Sequence, residues 1–256
     1  MRSNRLRLNP SKTEFMWCAT SRRPHHIDNA PTNISGANIT PSTTVRNPGV
    51  TMNNDFSMKS HIVKLSRSCF CSMRRIRGIR RSLTTEAAKT LISSFVCSRI
   101  DDCNTVFANL PASTIDRLVD VLHAAARLIS GGRKYDHITP VMRDELHWLP
   151  IRHRIEYKLC ITVFKALHEM SPGYIAAMCV PVSSLELRSR LRSADLGKLS
   201  FIRTNTEFGK RTFAHAGPTA WNNIPTAVKL SSTVSAFRSA LKTYLFRVGY
   251  SISSQH

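Results

Sequence analysis

Apolar side chains recur every three or four positions from Ile62 to Leu167, and the pattern breaks only where glycine, proline or a polar cluster stands. A chain written this way folds as packed helices, because the strict alternation of a half-buried strand is missing. Over Lys59–Arg81, at about 100° per residue, Ile62, Leu65, Cys69, Met73, Ile76 and Ile79 share one face. The next stretch predicts a helix from about Thr84 to Arg99. Thr84 or Thr85 caps it, Glu86 suits its positive end, and Ala88, Leu91, Ile92 and Phe95 form its buried stripe. A third helix is expected from Ser113, whose spacing to Asp116 resembles a capping box. Its stripe is Ile115, Leu118, Val119, Leu122, Ala126 and Ile129, and Gly131-Gly132 ends it. Pro140 opens a short helix through about His147. Pro150 and Pro172 bracket another, which carries Ile155, Leu159, Val163 and Leu167. Short connections between such helices predict a bundle.

The flanks read differently. In residues 1–56, Phe15–Trp17 and Ile39–Val45 are short apolar or β-branched pieces among Pro, Asn, Ser and Gly, which predicts strands and loops. Ser21–Pro31 is a polar loop. Beyond Pro172, Leu185–Arg203 reads as basic loop with short strands. Thr204–Pro225, with Gly209, Gly217, Pro218 and Pro225, reads as irregular. A last helix is expected over about Val234–Phe246, with Val234, Phe237, Leu241, Tyr244 and Leu245 inward. The predicted class is α+β, predominantly α-helical: a small strand-containing part (1–56), a helical part (57–170) and an irregular basic extension with a terminal helix (171–256).

Charge narrows the partners. There are 37 Lys+Arg against 16 Asp+Glu, a formal net charge of +21, which favours a polyanion. Lys59–Arg81 contains no acidic residue. Arg67, Arg74, Arg77 and Arg81 fall beside its apolar stripe, with Lys64 and Arg75 next to them. Like charges on one helix face repel by a few tenths of a kcal/mol per pair, a cost that phosphate groups would remove. No Trp/Lys-rich interfacial helix stands out and no apolar run approaches the ~18 residues of a membrane span, so nucleic acid is preferred to membrane. Met1–Pro10 lacks an apolar segment after its arginines, and the seven cysteines are odd in number. Both point to a reducing intracellular compartment, cytosol or nucleus. The sequons at Asn33 and Asn38 are then only polar loop sequence.

Signals for chemistry are few. Cys69-x-Cys71 and the Cys97–Cys103 pair lack zinc-site spacing. No Gly-x-Ser-x-Gly elbow or phosphate-binding Gly-rich loop occurs. His25-His26 sits alone in a loop, and His147 lies among apolar and aromatic neighbours, which fits packing or a helix end. Asp101-Asp102 resembles a polymerase metal-binding pair but follows a helix, so it reads as helix-end sequence. No metal, cofactor, small-molecule ligand or catalytic residue is expected.

A set of words in the sequence is similar to a known family. Leu6-Arg7-Leu8-Asn9-Pro10-Ser11-Lys12-Thr13-Glu14 resembles the Leu-x-Leu-Asn-x-x-Lys-Thr-Glu segment of non-LTR retrotransposon (LINE, jockey-like) reverse transcriptases, which follows the catalytic hairpin. Val45-Arg46-Asn47-Pro48-Gly49-Val50, with Asp55–Met58 and His61-Ile62, resembles the primer grip and thumb entry. Further matches are Ser98–Asn104, Ala124–Ile129, Asp136–Pro140, Leu146–Ile151, Leu187-Arg188-Ser189, Trp221–Pro225 and Phe237–Phe246. They occur in order along nearly the whole chain.

The resemblance implies RNA-templated DNA synthesis primed at a nick, with the catalytic aspartates upstream of Met1. Asp101-Asp102 follows the Lys12 motif and does not replace them. The chain is then expected to be a palm remnant, a thumb and a tail that do not polymerise DNA alone. It would contact the backbone of RNA and DNA, as an RNA–DNA hybrid, through Lys12, Lys64, Arg67, Arg74, Arg77 and Arg81, with Gly49 and Val50 at a primer-grip position. Pro48 replaces the usual Leu and is expected to remove a ladder hydrogen bond from that strand. The alternatives are an inert translated fragment of a decayed element, or a protein-interaction module built on the helix faces.

Overall fold

The computed structural model describes residues 9, 12–18, 30–34, 36–185 and 197–251. The Leu187-Arg188-Ser189 word, His25-His26, nearly all of the Ser21–Pro31 loop and part of the Leu6–Glu14 motif lie outside them. The chain divides into two compact units, Met1–Leu65 and Ser66–His256.

In the first unit two antiparallel hairpins form: β1 (Thr32–Ile34) with β2 (Ala37–Ile39), and β3 (Thr44–Asn47) with β4 (Val50–Asn53). Gly36, at φ +88°, makes the first turn, and Asn33 and Asn38 face each other across it with a 3.0 Å side-chain hydrogen bond. These are the two sequon asparagines. The second hairpin pairs Asn47 with Val50. Pro48-Gly49 therefore fills the turn, with Gly49 at φ +83°. Proline before a left-handed glycine suits a type II turn. This corrects the expectation for Pro48: it stands where no ladder bond is needed. Phe15–Trp17 is not a strand, although the Phe15 carbonyl accepts from Ser42 N at 2.8 Å.

Helix α1 (Lys59–Ile79) starts in this unit. Asp55 accepts from Ser57 N at 2.9 Å just before it. Burial opposes ionisation of that carboxyl, but the Ser57 backbone and hydroxyl hydrogen bonds outweigh it and hold its pKa below the ordinary value. The Thr51 amide donates to His61 Nδ1 at 3.3 Å and Asn53 Nδ2 to Ser60 Oγ at 2.7 Å, which ties β4 to the first turn of α1.

The second unit is helical. On α1, Ile62, Cys69, Met73 and Ile76 are buried as predicted, whereas Ile79 is exposed at the end of the helix. Thr84 caps α2 (Thr85–Ile92), its Oγ1 accepting from Ala87 N at 3.2 Å. A π-turn (Ser93–Cys97) then leads into α3 (Ser98–Asp101). The extra residue in that turn shifts the buried positions from Phe95, 48% exposed, to Val96 and Ile100. Helix α4 (Ala112–Ser130) begins one residue before the expected Ser113 cap. Pro111 is its N-cap and no side chain caps it, so the Ser113–Asp116 capping box is not formed. Its stop is as read: Gly131 is left-handed at φ +74°, and its amide returns to the Arg127 carbonyl.

After a π-segment (Val141–Glu145) comes α5 (Ile151–Leu167), entered through Pro150. Residues after 170 pack in this same unit. They form α6 (Gly173–Ala176), α7 (Glu207–Arg211), α8 (Phe213–Asn223), α9 (Thr226–Lys229) and α10 (Val234–Gly249). The irregular reading of Thr204–Pro225 is thus corrected. Glycine and proline disfavour a helix interior by about 1 and 3 kcal/mol, but in α8 Gly217 and Pro218 lie on the buried face, against α5. Phe164 of α5 stacks on Phe237 of α10 at 4.3 Å between ring centroids, with Trp221 of α8 beside both.

The Trp221-Asn222 word has a structural use. Trp221 Nε1 donates to the Gly197 carbonyl at 2.9 Å, and the Asn222 amide both accepts from and donates to the Leu199 backbone, at 2.8 Å each way.

Candidate nucleic-acid interface

The exposed face of α1 in the second unit is built by spacing. Residues 67, 70, 74 and 77 fall within an arc of about 80° at about 100° per residue, and Arg67, Phe70, Arg74 and Arg77 are all exposed. Arg75 is exposed beside them. Arg81 is exposed too, in a 3₁₀ turn (Arg80–Ser82) beyond the helix end, so it continues the row without sharing the helix geometry. None of the carboxylate–cation pairs found among the described residues falls on this helix. Among the described residues, the charges are spread along a surface with no carboxylate partner.

Arg80 differs from its neighbours. Its Nε donates to the Leu128 carbonyl at 3.0 Å and its guanidinium to the Ile129 carbonyl at 2.7 Å and the Leu83 carbonyl at 3.0 Å. It neutralises the last-turn carbonyls of α4, where the helix dipole is negative. Beside it, Arg77, Arg127, Lys134 and the Gly131-Gly132 backbone line a cleft of about 500 Å³. Arg127 Nε is buried there without a hydrogen-bond partner. Sequence reading did not bring Arg127 or Lys134 to Arg77, because that needs the C-terminal ends of α1 and α4 side by side. Phe70 was legible, since its position lies inside the arginine arc.

The remaining candidates lie in the first unit. Lys64 is exposed, with Nζ 3.5 Å from Thr51 Oγ1. Lys12 is exposed, its amide donating to the Asn9 carbonyl at 3.1 Å. The motif residue Glu14 accepts from the Arg46 amide at 2.7 Å, which sets this segment beside β3. Gly49 is the hairpin turn and Val50 the first residue of β4.

Asp101 ends α3 and pairs with Arg154 of α5 at 2.8 Å. Arg154 also donates to the Leu149 carbonyl at 2.8 Å. That carboxylate is a helix-to-helix tie. His147, at φ +49°, has Nδ1 3.0 Å from the Arg143 carbonyl and its ring beside Phe246, a packing role at a helical end. Among the described residues no group of three or more His, Cys, Asp or Glu can hold a metal ion, and no helix is long and apolar enough to cross a membrane. No family model, no curated protein and no solved structure matches this chain.

Proposed function

We propose that this chain is the thumb-like, backbone-binding part of a LINE-type RNA-directed DNA polymerase, and that it holds an RNA–DNA hybrid without polymerising. The observation that carries the reading is the α1 face: Arg67, Arg74 and Arg77, with Arg81 in the next turn, all exposed and none paired with a carboxylate among the described residues. A row of guanidinium groups on a rigid helix suits phosphate contacts, which fix position and carry no base information. The ordered run of family-like words supports the assignment to that enzyme class. The tie between Asp101 and Arg154 supports a chain without a metal centre at Asp101-Asp102.

The test is binding of a short RNA–DNA hybrid across a salt series, with the wild type beside a variant carrying Arg67→Ala, Arg74→Ala, Arg77→Ala and Arg81→Ala. Affinity is expected to fall steeply with salt. The variant's log–log slope is expected to be shallower by up to about 4, roughly one per lost phosphate contact. Coincident slopes, or no binding by either protein, leave the face as solvated surface and return the chain to an inert fragment.

A further inference from the structure

We propose that Phe70 is a stacking platform for an unpaired base, so that the arginine face of α1, which holds paired strands by their phosphates alone, gains a base contact where the nucleic acid is single-stranded. The inference rests on the phosphate-binding reading and adds a contact to unpaired bases beside the paired ones.

Phe70 is 44% exposed, although Cys69 and Met73 on the neighbouring stripe are buried. A lone exposed aromatic is ordinary on a protein surface. This one sits inside a charged row. Arg67 lies one turn before it, about 4.5 Å along the axis, Arg74 about 6 Å after it and Arg77 about 10 Å after it. The ring stacks on no other aromatic and carries no cation over its face among the described residues. Arginine readily covers an aromatic face, yet among the described residues no guanidinium lies over this ring.

The flank of a duplex meets only the arginine half of such a surface. Its bases are stacked inside, so the ring finds no base face there. A single strand offers both halves of what the surface presents, phosphates for Arg67, Arg74 and Arg77 and a free base face for the ring. Every base has such a face, so the contact tolerates any sequence.

The experiment uses the full chain and measures binding of three probes at fixed salt: a pyrimidine single strand, the same strand with its bases removed, and a blunt RNA–DNA hybrid. Phe70→Ala is expected to weaken single-strand binding roughly five- to hundredfold and to leave the abasic strand and the hybrid nearly unchanged. Phe70→Trp is expected to restore single-strand binding, whereas Phe70→Leu, which keeps apolar bulk without a π-face, is not. The salt slope of all three variants should match the wild type. Equal loss on all probes, no loss on any, full rescue by leucine, or equal competition by an acidic polypeptide overturns the stacking assignment while salt-dependent binding persists. Absence of salt-dependent binding to every probe overturns the phosphate reading, and the stacking assignment with it.

Discussion

Arg77 and Arg80 stand three positions apart in one basic run and have different work. On the helical wheel Arg80 falls on the apolar side, and in the fold it closes the carbonyl end of α4. Arg77 falls on the charged side and remains exposed. The difference was legible from phase, whereas Arg80's carbonyl partners, in a helix nearly fifty positions along the chain, were not. Two histidines give a residue-scale prediction. Burial, reinforced by Arg127, pushes His123 below its ordinary 6.5, with Asp120 opposing. Burial, reinforced by Arg152, does the same to His153. His153 Nδ1 is buried without a hydrogen-bond partner. Both groups therefore resist the imidazolium form when folded. Above about pH 6.5 both states hold neutral histidine and the shift contributes nothing. As pH falls below that value the unfolded chain binds protons first, so stability declines until the folded histidines titrate. Thermal melts between pH 7 and 5 should show Tm falling for the wild type and falling less for a variant with His123→Gln and His153→Gln. Parallel profiles would mean that these histidines are solvated.

At the scale of elements, a strong local period found α1, α4, α5 and the terminal helix. It failed where packing overrides propensity. The π-turn after α2 is one such place. A straight helix would bury Phe95, and one additional residue in the turn buries Val96 and Ile100 instead. Helix α8 is the other. A Cβ at Gly217 would lie 2.9 Å from the Phe213 ring and 3.2 Å from Val163 of α5, so the glycine is there for close approach. Gly217→Ala should destabilise the protein by about 1–2 kcal/mol in denaturant titration, overpacking outweighing the better helix propensity of alanine. Gly78→Ala on α1, where nothing lies within 4 Å of the added Cβ, should stabilise it by about 0.5–1 kcal/mol. A neutral Gly217→Ala would mean a looser α5–α8 contact than the structure draws.

At the scale of the second unit, α5 is the element on which others converge. It buries Ile155, Leu159, Cys160, Ile161, Val163 and Phe164, a wider surface than the single stripe its sequence period shows, and it meets both α8 and α10. A chain truncated after Met170 would lose Trp221 and Phe237 from the Phe164 cluster. It should lose its cooperative thermal transition and bind a hydrophobic dye, as expected when packing goes but helices remain. An unchanged melt would make residues 171–256 a separate appendage. The sequence by itself determined the helices with strong periods, most of their buried stripes, the glycine stop of α4 and the one-signed face of α1, because each depends on spacing within a few turns. Only the tertiary structure decided that the Pro48-Gly49 pair is a hairpin turn, that Gly217-Pro218 lies in a helix, that Arg80 meets the last carbonyls of α4, and that Arg127 and Lys134 join Arg77. Those outcomes depend on contacts between segments far apart in the chain, where burial and close packing outweigh local preference.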